Sequence, residues 1–94
     1  MDIVSIVHKG LKAYVEKNDP KGLPRDKVQR IQNVLASLIQ APDMDGVEGP
    51  PGWRVHQLKG DRIGQWSISV SGNWRLTFRV ENGRIADLNL EDYH

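Results

Sequence analysis

The spacing of apolar residues changes once along this chain, and that change constrains the fold more than any other feature. Val28, Ile31, Val34, Leu35, Leu38 and Ile39 recur with a period of 3.6, the stripe of an amphipathic helix. Arg25, Gln29, Gln32 and Asn33 lie mainly on its other faces. Pro24 suits the first turn of that helix, where its missing N–H has no partner in any case, and Pro42 bounds the end. After Trp53 the period is two. Trp66, Ile68 and Val70 alternate with Gln65, Ser67, Ser69 and Ser71; Trp74, Leu76, Phe78 and Val80 alternate with Asn73, Arg75, Thr77 and Arg79. Asn82-Gly83 signals a tight hairpin, because both residues tolerate the positive φ of a type I′ turn. A last strand is expected over 84–90, and residues 53–59 supply a first.

The expected class is therefore α+β: two N-terminal helices packed on one face of an antiparallel, mainly four-stranded β-meander. The other helix is expected over 9–17, from Leu11, Tyr14 and Val15, with Asn18 as its stop. Residues 3–7 read as a brief edge strand or a lead-in. The stretch 42–52, rich in Asp, Gly and Pro, is expected to hold no regular structure. It joins the halves rather than separating two domains, since neither half could bury a core alone. A single domain over 1–94 follows.

The chain has no cysteine, which removes disulfides, thiolate nucleophiles and Cys-ligated zinc together and fits a reducing cytoplasm. No N-terminal stretch reads as a signal peptide, and no apolar run approaches the ~18 residues of a membrane span. A cytoplasmic protein without a membrane partner is expected.

The net charge is only +1, small for a protein that must gather free nucleic acid through phosphate contacts. Its distribution is uneven. Acidic and basic groups cancel over 1–52, whereas Arg54, Lys59, Arg62, Arg75, Arg79 and Arg84 face only Asp61 and Glu81 across 53–84. Function is sought in that basic half. One strand face there carries Arg75 and Arg79 with Asn73 and Thr77 between them. His56 and Lys59 stand close together at a strand end, and the sequence closes on Glu91-Asp92-Tyr93-His94.

Histidine titrates near neutrality, so two of them can share general base and general acid duties. Arginine and lysine can hold a phosphate and stabilise charge developing on it. Carboxylates are not clustered as a metal nuclease would need, so neither a metal nor another cofactor is expected. The phosphate chemistry that remains is attack by an RNA's own 2′-hydroxyl. It needs a base on that hydroxyl, an acid on the leaving 5′-oxygen and a cation beside the phosphate. His56, His94, Lys59 and Arg75 suit those places, and which histidine takes which part is left open. His8 reads as a surface or hydrogen-bonded residue. Of three tryptophans that could stack bases, alternation assigns Trp66 and Trp74 to core or rim packing.

The string Pro51-Gly52-Trp53-Arg54-Val55-His56-Gln57-Leu58-Lys59-Gly60-Asp61-Arg62 resembles the HigB branch of the RelE/ParE toxin superfamily. So do Gly64-Gln65-Trp66-Ser67-Ile68-Ser69-Val70, Gly72-Asn73-Trp74-Arg75-Leu76-Thr77-Phe78, the early His8-Lys9-Gly10-Leu11-Lys12 and the closing Asp92-Tyr93-His94. Gln57 stands where many relatives have proline. The resemblance implies a RelE-like fold and a toxin of a type II toxin–antitoxin system. Such a toxin is an endoribonuclease that cuts mRNA held in the A site of the 70S ribosome. A HigA-like antitoxin neutralises it and mediates any contact with operator DNA. Carried over motif by motif, His56, Asp92, Tyr93 and His94 would be catalytic. Lys59, Arg62 and Arg75 would contact the phosphate, with Asn73 supporting them. The small net charge then has a reason, because the ribosome would present the message. Two other classes compete: a non-catalytic interaction module of the same fold, and a gyrase-directed toxin like the ParE branch.

Overall fold

The computed structural model describes residues 1–92; Tyr93 and His94 lie outside the described residues. Helix α1 spans Lys9–Lys17 and α2 spans Val28–Gln40. Strands β1 (His56–Gln57), β2 (Gln65–Ser71), β3 (Trp74–Glu81) and β4 (Arg84–Asp92) form one antiparallel sheet in the order β1-β2-β3-β4. The helical stripe of α2 buries Ile31, Val34, Leu35 and Leu38. These residues share a core with Leu11 and with Ile68, Leu76, Phe78, Ile85, Leu88 and Leu90 of the sheet. That core covers one face of the sheet and leaves the other to polar residues. Trp66 and Trp74 pack at its margin, as their alternation predicts.

Both ends of α1 are set by local chemistry. His8 is its N-cap, Nδ1 accepting from the Leu11 N–H at 3.1 Å, and Asn18 closes it in the left-handed conformation at φ 56°. Just inside the cap, Gly10 meets the turn at Gly22 so closely that a Cβ would fall 2.2 Å from the Gly22 carbonyl oxygen. Burial lowers the pKa of His8 from its ordinary value, and only the unprotonated Nδ1 can accept the capping bond. The cap's stability is therefore present above about pH 6.5 and lost as pH falls through the lower folded value. His8→Ala is expected to cost about 1 kcal/mol at pH 7.5 and much less at pH 5, read from urea midpoints at the two pH values. An equal loss at both would remove the histidine's titration from the capping role.

The structure is more detailed than the pattern in three places. A 3₁₀ turn over Arg25–Lys27 precedes α2, and two more, Met44–Gly46 and Pro51–Trp53, organise the stretch expected to be irregular. Strand β1 is only two residues long, not the expected seven. Pro50 and Pro51 lack N–H donors, and Arg54 sits in the left-handed region at φ 48°, so the chain turns extended only after it. The N-terminal residues run parallel to β4 through isolated bridges, Ile3 with Ile85 and Ile6 with Leu88.

That last pairing surrounds a β-bulge. Thr77 opposes Asn89 and Arg79 opposes Ala86, so Asp87 and Leu88 together face Phe78. Asp87 takes φ 53°, and its N–H donates to Ser5 Oγ at 2.8 Å. Counting from the Asn82-Gly83 turn without a bulge would set Arg75 against Leu90. The additional residue sets it against Glu91.

Among the described residues, no helix is long and apolar enough to cross a membrane.

Candidate active site

On the polar face of the sheet, register brings two rows of side chains together. One row runs His56, Ser67, Thr77 and Asn89 across all four strands; the next runs Ser69, Arg75 and Glu91. Directly opposed residues share a face, and so do residues two apart along a strand, so these rows are neighbours. The patch is cationic at its centre but not open everywhere. Ser67 and Thr77 are buried beneath it, Arg75 is largely covered, and His56 and Lys59 are exposed.

Glu91 organises this face. The connection between β1 and β2 folds over the sheet, and Arg62 from it grips both oxygens of Glu91, with Nη1 donating to Oε1 at 2.8 Å. The same guanidinium donates to Gln65 Oε1 from Nε at 2.9 Å and from Nη2 at 2.6 Å. Thr77 Oγ1 donates to Glu91 Oε2, and Arg75 Nη2 lies 3.7 Å from Oε1. The Arg62 hydrogen bonds, with smaller help from Thr77 and the charge of Arg75, hold the Glu91 pKa at about 2 despite its partial burial. Glu91 stays ionised and fixes two arginines that would otherwise repel each other.

His56 is held by its own chain. Its Nδ1 lies 2.6 Å from the carbonyl oxygen of Arg54, which the left-handed turn at that residue aims back toward the ring. A carbonyl can only accept, so Nδ1 carries the proton, and in the neutral ring Nε2 carries the lone pair. Lys59 stands three residues on, at the start of the 3₁₀ turn Gly60–Arg62 on the connection that crosses the face.

A family model described as the HigB-like toxin, the RelE-like toxin of type II toxin–antitoxin system HigB, matches residues 4–94. The chain belongs to the HigB-like toxins. A curated relative, Endoribonuclease HigB of Proteus vulgaris, is 45% identical over 92 residues, 98% of this chain and 99% of that one. Among solved structures, a YoeB/ParE toxin from Agrobacterium tumefaciens matches with a TM-score of 0.65 at 18% identity over 100% of both chains. A YafQ mutant from E. coli matches with 0.63 at 13% identity, covering 98% of this chain and 93% of that one. A chain of a YoeB-YefM complex from Staphylococcus aureus matches with 0.56 at 21% identity over 100% of this chain and 99% of that one. These distant matches show that the HigB-like toxin has the fold of the RelE, YoeB and YafQ toxins, the α+β architecture expected from the sequence.

Within this HigB-like toxin the site residues expected from sequence are distributed unequally. His56 and Arg75 fall on the polar face, and Lys59 is exposed at the start of the 3₁₀ turn that carries Arg62. Arg62 reaches that face too, but four of its hydrogen bonds go to Glu91 and Gln65, which makes it a brace before it is a phosphate ligand. Asn73 lies in the β2–β3 turn, exposed, at the end of the Arg75 strand. Asp92 is exposed at the end of β4 opposite Trp74, in line with the core-facing Leu88 and Leu90 rather than with Glu91. Tyr93 and His94 lie outside the described residues. Among the described residues, no group of three or more acidic or histidine side chains is placed to hold a metal ion.

Sequence reasoning missed two contributors. Glu91 was read only as part of a polar C-terminus, and Arg54 only as one of several cations. A signal for Glu91 existed. The large apolar residues of β4 pass from odd, Ile85, to even, Leu88 and Leu90, and that slip announces the bulge that turns Glu91 toward Arg75.

Proposed function

We propose that this HigB-like toxin is a ribosome-dependent, metal-independent endoribonuclease that cuts mRNA in the ribosomal A site. The observation that carries the reading is His56, its Nδ1 fixed by the Arg54 carbonyl, one row from an Arg75 held in place by Glu91. The relative named Endoribonuclease HigB supports the class of reaction. In the reaction, His56 Nε2 removes the proton of the 2′-hydroxyl, and O2′ attacks the adjacent phosphorus. The bond to the 5′-oxygen breaks as an acid protonates it, leaving a 2′,3′-cyclic phosphate and a 5′-hydroxyl end. His94 is the acid in this reading, with Asp92 and Tyr93 assisting from the same tail. Arg75 and Lys59 stabilise the charge that builds on the phosphate, with Asn73 supporting and Arg62 acting chiefly through Glu91.

A HigA-like antitoxin is the second partner, since the fold is found paired with YefM in the Staphylococcus aureus complex. Any operator contact runs through that antitoxin. The experiment is to incubate the protein with ribosomes carrying a defined A-site codon and to map the mRNA ends. A discrete cut within the codon, absent without ribosomes and insensitive to EDTA once magnesium-stabilised complexes have been cross-linked, is the expected result. No cut across a panel of codons, with DNA supercoiling by gyrase inhibited, would overturn it.

A further inference from the structure

Beside the polar face, the sheet edge opens into a cleft of about 570 Å³ between α2 and the turn at 50–54. Strand β1 pairs β2 only at Ser67 and Trp66, so β2 runs on from Ser67 toward its hairpin without that neighbour. The space so left is lined by Trp53, Arg54, Arg30, Asn33 and Ser69. Its volume falls in the range that small-ligand sites use. Its chemistry is an aromatic ring among cations. Arg30 Nη1 donates to the Val70 carbonyl at 3.4 Å, a long bond that keeps the guanidinium at the wall, and Lys27 Nζ donates to Ser71 Oγ at 3.2 Å on the same rim. The Lys27 ammonium also pairs with the exposed Asp26 at 3.2 Å.

Two residues join this cleft to the site already described. Ser69 lines it and is also the partner of Arg75 across β2 and β3. Arg54 lines it too, and the carbonyl of the same residue holds His56. Trp53 is half-buried, and its ring lies so close over Gly49 that a Cβ there would fall 2.2 Å from Cε3. Only glycine at 49 admits the ring in this position, so the indole is seated rather than merely exposed. A half-buried aromatic with guanidinium groups around it suits a base stacked on the ring and a phosphate beside it, the combination by which single strands are held without reading their sequence.

We propose that this cleft is a second message subsite, in which Trp53 stacks the base of a nucleotide next to the cut and Arg30 and Arg54 hold its phosphate. It rests on the endoribonuclease reading for the identity of its ligand, single-stranded RNA. The subsite gives the message a second point of attachment, so that the ribose at His56 is oriented by contacts on both sides of it.

The first measurement is a nitrogen-15 NMR titration of the full chain with a 2′-O-methyl hexaribonucleotide, which cannot be cut. The Trp53 indole signal, identified by its absence in Trp53→Phe, is expected to shift with the hexamer. A roughly tenfold weaker dissociation constant is expected for Trp53→Ala, with recovery in Trp53→Phe, because any aromatic face stacks. Arg30→Gln is expected to lower the salt dependence of binding by about one phosphate contact. On programmed ribosomes, Trp53→Ala should raise the toxin concentration for half-maximal cleavage about tenfold and also lower the saturated rate, because the ribose is then oriented from one side only. A Trp53 signal that stays still while RNA is added, whether or not signals elsewhere move, overturns the proposal. So does a signal that moves only when an antitoxin protein is added. Failure of the endoribonuclease reading looks different: no cleavage on ribosomes, with the RNA-induced Trp53 shift intact.

Discussion

Replacing His56 with alanine is expected to slow A-site cleavage by roughly 10²–10⁴-fold, the range for loss of one general base. The fold should barely notice. His56 is exposed on a two-residue strand, and its ring bonds to the Arg54 carbonyl, an acceptor that water can satisfy in the variant. The change in unfolding free energy should stay within about 0.5 kcal/mol. Single-turnover rates with saturating ribosomes, set beside urea midpoints, separate the two effects. A variant that cuts at the wild-type rate would remove His56 from the chemistry. One that loses activity and stability together would make it a structural residue.

Glu91→Gln is the second large effect, and it acts through stability first. The carboxyl pKa falls from 4.5 to about 2 on folding, with Arg62 as the main cause. A carboxylate depressed in the folded state contributes stability that is fully present above its unfolded value, and that stability is lost as pH falls toward the folded one. Arg62 is 36% exposed, so solvent screens part of this interaction, and the glutamine variant is expected to lose about 1–2 kcal/mol at pH 7 and to melt roughly 5–10 °C lower. The difference should shrink between about pH 5 and pH 2, because the wild type then protonates into the neutral form that glutamine mimics. Urea midpoints of both proteins at pH 7, 5 and 3 test this, and a gap that stays constant would contradict it. Cleavage should fall as well. Without the carboxylate, Arg62 and Arg75 face each other as like charges on a partly dry surface, and Arg75 leaves the position from which it would meet a phosphate.

Periodicity made α2, β2 and β3 legible because each has one buried face, and burial writes itself into alternation. The Asn82-Gly83 turn was legible for a stereochemical reason: both residues take positive φ, 54° and 74°. The short β1 was hidden, since Arg54 reads as an ordinary strand residue, whereas it closes the 3₁₀ turn Pro51–Trp53 in the left-handed region. The site was half legible. His56, Lys59 and Arg75 stand out in the sequence because cations and an imidazole in one half of a nearly neutral chain demand a reason, and the sheet sets His56 and Arg75 in adjacent rows. The role of Glu91 depends on which residue faces which across β3 and β4, and register is not a local property. The pairing of Arg62 with Glu91 is hidden for the same reason: the two lie 29 residues apart in sequence.

The Asp87 bulge has a consequence for how such a gene can change. Without residue 87, β4 would alternate perfectly, Ile85, Leu88 and Leu90 inward with Ala86, Asn89 and Glu91 between them, so Asp87 is one codon more than the strand needs. Its N–H is taken by Ser5, 82 positions earlier, and the N-terminal residues also advance three positions, Ile3 to Ile6, while β4 advances three. The two irregularities are matched across the seam. A lineage that lost one codon alone would throw the first and last segments of the chain out of step, whereas losing both would restore a straight pair. Loss of residue 87 alone is thus expected to destabilise the fold more than its loss together with one residue of 3–6, because the Asp87–Ser5 hydrogen bond ties the two segments.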